Sequence, residues 1–174
     1  MKNYDIIIET PKEGHFKYKF EPSAGMFKLN KILPQGLVFP YDFGFVPYTV
    51  GEDGDPLDVL VFSEHALFTG CVVECRIIGG IQASEMDENK ISIRNDRLIG
   101  IPVLSKVYAH INSIDQIEEE KINEIKNFFI SYNSYYDKTF ITEGVLSAAD
   151  VEKLIKQSNN SYHHFKNKPT LSRL

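Results

Sequence analysis

The sequence predicts an α+β domain in which a small antiparallel β-barrel carries two C-terminal helices packed on its side. Three observations lead there. Residues 5–103 consist of short alternating or wholly apolar runs separated by Gly and Pro turns, the pattern of strands. From Ile114 onward apolar residues recur at three- and four-residue steps, the pattern of helices. The 174 residues are 43% hydrophobic and 25% charged, enough for one globular unit with its own core.

Taken in order, 5–10 (DIIIET) and 16–21 (FKYKFE) read as strands. Alternation in the second puts Lys17 and Lys19 on one face and Phe16, Tyr18 and Phe20 on the other; a solvated lysine face accounts for this without any ligand. A turn at 22–25 leads into a strand at 26–33 bearing Lys28 and Lys31, so the first three strands suggest a meander. Residues 34–49 are aromatic and interrupted by Pro34, Gly36, Pro40, Gly44 and Pro47, which predicts an ordered but irregular crossing. Strands follow at 58–62 (DVLVF), at 71–83 with a bend or bulge at Gly79-Gly80, and at 91–103. In the last of these Asn95 and Arg97 share a face and Asp96 points the other way. Five or so short strands with glycine bends suit a five-stranded barrel of the OB type.

The stripe Ile122, Ile125, Phe128, Phe129 and Tyr132 predicts a helix over at least 118–132. Ser147 followed by Asp150 is a capping signal for a second helix at 148–157, with Val151, Leu154 and Ile155 buried. Nothing divides the chain, so 1–174 reads as a single domain ending in a polar tail, 158–174.

A formal charge of −5 argues against a nonspecific nucleic-acid binder. Phe39, Tyr41, Phe43, Phe45 and Tyr48 could form a stacking platform but read better as core. No stretch approaches the roughly 20 apolar residues of a membrane span. The N-terminal residues lack the pattern of a secretory signal. Cys71 and Cys75, about 13 Å apart along a strand, are expected as two buried, reduced thiols.

The chemistry concentrates in one stretch, GEDGDPLDVLV, where Asp53, Asp55 and Asp58 fall within six residues. Gly54 and Pro56 exclude a regular helix, and Pro56 pushes Asp55 toward extended backbone, so all three carboxylates can converge from one loop and one strand end. Such crowding raises each carboxylate's pKa unless a cation sits among them. Oxygen-only ligands suit a hard divalent ion such as Mg²⁺. The alternative is a solvated Asp-Gly turn between two strands.

DGDPLDVLV, together with Glu9 and Lys17 upstream and the Met-Asp-Glu turn at Asp87, resembles the family I soluble inorganic pyrophosphatases over about residues 5–149. The resemblance implies Mg²⁺-dependent hydrolysis of pyrophosphate to two phosphates, a cytoplasmic setting and a homo-oligomer, often a hexamer in bacteria. It places metal ligands at Asp53, Asp58 and Asp87, the general base at Asp55, phosphate contacts at Lys17, Lys31, Arg97 and Tyr132, and a supporting acid at Glu9. The chain departs from the pattern at several of these points. Lys31 stands for an arginine, Asn95 and Arg97 for an aspartate and a lysine, Lys19 for a glutamate, Phe39 and Phe43 for tyrosines, and Asn133 for a lysine. With part of the phosphate grip changed, a non-catalytic binder of pyrophosphate or nucleotide phosphates on the same fold is the alternative.

Overall fold

The computed structural model describes residues 2–166. Its centre is a closed ring of five strands: β1 (Asn3–Thr10), β4 (Asp42–Phe45), β5 (Asp58–Val61), β8 (Arg97–Pro102) and β6 (Val72–Met86), which pairs back onto β1. Every pairing in the ring is antiparallel except β5 with β8. A ring with an odd number of strands cannot alternate direction all the way round, so one seam must be parallel. The antiparallel barrel expected from the sequence is met with that single exception.

The meander does not form. Both edges of β1 are taken by β4 and β6, so β2 (Phe16–Glu21) and β3 (Met26–Ile32) pair with each other as a separate two-stranded sheet. The segment read as an irregular crossing contains β4, buried along its whole length. Gly44 permits this: a Cβ there would lie 2.2 Å from the Ile7 carbonyl oxygen. The bulge predicted at Gly79-Gly80 is present in β6, with a register shift between Ile77 and Gly79. The expected strand at 91–103 is cut into β7 (Ser92–Arg94) and β8 by Asn95 and Asp96. Asp96 accepts from the Ala83 amide at 3.0 Å and from Arg94, replacing ladder bonds with side-chain bonds.

The DVLVF run is apolar throughout because both its faces are covered. Val59 and Val61 belong to a cluster with Ile6, Ile8, Leu98, Val151 and Ile155, and Leu60 and Phe62 to one with Phe39, Phe43, Ile125 and Phe129. Helices α1 (Glu119–Tyr135) and α2 (Ala148–Lys166) supply the outer members of these clusters. Ser147 caps α2 as its sequence predicts, accepting from the Asp150 amide at 3.2 Å. Residues 158–166, expected in a polar tail, continue α2; 167–174 lie outside the described residues. Between the helices runs β9 (Thr139–Ser147), paired with β6 and absent from the sequence reading. Phe39, Tyr41, Phe43 and Phe45 are buried, which removes the stacking platform. Cys71 and Cys75 are free thiols; Cys75 is buried as expected, but Cys71 lies just before β6 and is only partly buried. Among the described residues no helix is long and apolar enough to cross a membrane.

Candidate active site

One wall of a cleft of about 580 Å³ is built by the β2–β3 hairpin and α1. Lys17 and Lys31 sit directly opposite each other across the hairpin, an arrangement that costs stability unless negative charge is brought to it. Both ammonium groups lie over the ring of Tyr132, at 5.5 and 5.1 Å from its centroid, and Lys31 also lies 3.9 Å from that of Tyr136. Burial, aided by the charges of Lys17 and Lys138, pushes Lys31 down to about 8. Tyr132, held by the apolar stripe of α1, is buried and lines the cleft; its hydroxyl has no hydrogen-bond partner among the described residues. Burial raises its pKa, so it remains a proton donor. A buried, unpaired donor beside two crowded ammonium groups is suited to an anionic ligand.

The facing wall is the 51–58 loop. Gly54 at φ +83 allows a tight reversal, within which the Asp55 amide donates to Asp53 Oδ1 at 3.0 Å and the Gly51 amide to the Asp55 carbonyl at 2.7 Å. Asp58 follows as the first residue of β5. The loop thus turns Asp53, Asp55 and Asp58 into the same cleft as Lys17, Lys31 and Tyr132, as the sequence predicts. Burial and the neighbouring carboxylates push Asp53 up to about 6. Burial also raises Asp58, against the pull of Arg97.

Two of these acids are bound by the protein's own cations. Lys19 Nζ pairs with Asp55 at 2.7 Å at the half-exposed rim. Arg97, only 3% exposed, lies deeper, against the rings of Phe129 and Phe140; it pairs with Asp58 at 2.9 Å and Glu85 at 3.0 Å and contacts Asn95 Oδ1. Its charge is therefore spent on holding acids in place. Glu9 is buried and ties β1 to β2 by accepting from the Phe20 amide at 2.9 Å; burial pushes it up to about 7. Asp87 is in the cleft wall, but its oxygens meet the Ile91 amide and Asn89. Among the described residues no three His, Cys, Asp or Glu side chains form a ready-made metal cage. The donor set nevertheless fits Mg²⁺: all-oxygen ligands, with Asp53 and Asp58 raised chiefly by burial.

The sequence reading missed Glu85 and Lys138. Glu85 bridges Arg97 and Lys138, the latter at 3.0 Å. A signal was available for Glu85: it shares the inward register of Ile81 and Ala83, an unusual place for an acid on a strand. Lys138 precedes β9 and has no such local mark.

A cleft of about 580 Å³ with carboxylates on one wall and lysines and a phenol on the other defines a site for a polyanion bridged to cations. The sequence profile of the inorganic pyrophosphatase family matches residues 6–163. The inorganic pyrophosphatase of Nostoc sp. is 32% identical over 158 residues, covering 91% of this chain and 90% of its own. The structure of the Helicobacter pylori inorganic pyrophosphatase superposes with a TM-score of 0.86 at 26% identity, over 93% of this chain and 94% of its own. The Thermus thermophilus structure does so with a TM-score of 0.84 at 30% identity, over 92% and 91%. The chain belongs to the inorganic pyrophosphatase family.

Proposed function

We propose that this cleft hydrolyses inorganic pyrophosphate to two phosphates with Mg²⁺. The observation that carries this reading is the opposition of two walls, Asp53, Asp55 and Asp58 against Lys17, Lys31 and the unpaired hydroxyl of Tyr132. Asp53, Asp58 and Asp87 would hold Mg²⁺. When bound, it supplies Lewis acidity toward phosphoryl oxygens and eases deprotonation of water.

The protein's own groups do the rest. Asp55 takes a proton from the attacking water, whose oxygen forms a bond to phosphorus as the bridging P–O bond breaks. Lys17 and Lys31 neutralise charge on the phosphoryl oxygens and Tyr132 donates a hydrogen bond, so the fixed donors stabilise charge that grows in the transition state. Arg97, from below, keeps Asp58 and Glu85 in place. Glu9, in turn, fixes the hairpin that carries Lys17. The reading includes a cytoplasmic homo-oligomer, a hexamer by resemblance, which sedimentation of the pure protein would check.

Phosphate release from pyrophosphate with Mg²⁺ present tests the proposal. Turnover that vanishes with a chelator and returns with Mg²⁺ is expected. Tight Mg²⁺-dependent binding without turnover would overturn it in favour of a non-catalytic pyrophosphate binder.

A further inference from the structure

Helix α2 passes behind the aspartate loop and fastens the segment that enters it. Ser158 is buried, and its hydroxyl both donates to the Val50 carbonyl at 2.6 Å and accepts from the Val50 amide at 2.8 Å. One side chain thereby satisfies both backbone groups of one residue, as a neighbouring β-strand would. The next residue, Asn159, donates to the Tyr48 carbonyl at 2.8 Å. One turn on, Tyr162 packs edge-on against Tyr48, with centroids 5.8 Å apart, and reaches the cleft wall. Tyr48 needs such support: its φ of +60 is a left-handed conformation disfavoured for a bulky side chain. Thr49 pins the other side, donating to the Val46 carbonyl and accepting from the Leu57 amide.

We infer that Ser158 and Asn159 are positioning residues for the reaction, setting the 51–58 loop so that its aspartates face the lysine wall. The inference rests on the proposed role of that loop. The fold does not depend on the clasp, because Val151 and Ile155 already anchor α2 in the apolar cluster. The bonds reach one residue short of Gly51, whose amide holds the Asp55 carbonyl, so slack at Val50 passes directly to Asp55. Displacements of this kind, of about 1 Å, cost up to about a hundredfold in rate.

The test compares Ser158→Ala, Ser158→Thr and Asn159→Ala in the full chain. Ser158→Ala is expected to lower kcat for pyrophosphate by roughly ten- to a hundredfold, to speed hydrogen exchange at the Gly51 and Asp55 amides, and, because the Val50 amide and carbonyl lose their partner, to lower the unfolding midpoint only by an amount that leaves the chain fully folded under assay conditions. Ser158→Thr keeps the hydroxyl, and a cavity of about 260 Å³ beside it has room for the methyl group, so activity and slow exchange should return. Asn159→Ala should show the same pattern more weakly. Unchanged kcat and exchange in both alanine variants would overturn the inference, as would an activity loss that only tracks lost stability. A wild-type chain inert toward pyrophosphate would instead refute the proposed function, while exchange would still report whether the clasp holds the loop.

Discussion

Lys19 Nζ closes on both carboxylate oxygens of Asp55, at 2.7 and 2.8 Å. The pair is about half exposed on both sides, so it contributes at most about 1 kcal/mol and exchanges readily. Asp55 must be released from it before it can take a proton from water. The ammonium also places a resident positive charge among acids that a divalent ion would share. Replacing Lys19 with Glu is therefore expected to tighten Mn²⁺ binding, read by calorimetry, by at least about tenfold. Equal affinity in the two proteins would show that ammonium and metal do not compete.

Asp55→Asn removes the proton acceptor while keeping the shape of the loop and the Asp55 backbone bonds. Turnover should fall by about 10² to 10⁴ in steady-state phosphate release. A variant with wild-type kcat would take Asp55 out of the mechanism.

Lys31 gives the site a defined pH response. Its pKa of about 8 lies below the ordinary lysine value because of burial and the charges of Lys17 and Lys138. The cation is present below pH 8 and is lost as pH rises through it, so KM for pyrophosphate should rise on the alkaline side. Lys31→Arg keeps its charge throughout, so this rise should disappear from its KM profile. Parallel profiles in the two proteins would assign the effect to another group.

Phe129 joins the core to the site: it packs among Phe43, Phe128 and Phe140 and lies 4.6 Å from the Arg97 guanidinium. Phe129→Ala should cost about 3–5 kcal/mol in urea unfolding, through the cavity it leaves. Activity of the remaining folded protein should fall as well, since Arg97 loses the surface that holds it against Asp58. A loss below about 1 kcal/mol would mean that the core collapses around the gap.

Features set by neighbours in sequence were legible without the structure. Gly54 permits left-handed backbone and Pro56 fixes its own φ wherever they stand, so the convergence of Asp53, Asp55 and Asp58 could be read directly. The stripe from Ile122 to Tyr132 and the Ser147 cap are likewise local patterns: the first helix forms where its stripe predicts, and the second starts at its cap but runs on to Lys166, past the end expected at Gln157. The strand β4 was hidden because Pro40 and Gly44 look like breakers; Gly44 is instead where β1 comes close. The strand β9 was hidden because its pairing lies on the far side of α1, on β6.

By itself the sequence determined the barrel-and-helix class and the carboxylate loop, because periodicity and local backbone preferences act over a few residues, while the DGDPLDVLV motif carried the resemblance to the family. Only the tertiary structure decided that Lys17 faces Lys31 over Tyr132, that Glu85 meets Arg97 and Lys138, and that Ser158 grips Val50, 108 positions earlier in the chain. Contacts at that separation leave no local trace, since they exist only once the ring has closed and buried surface outweighs the entropy of bringing distant segments together.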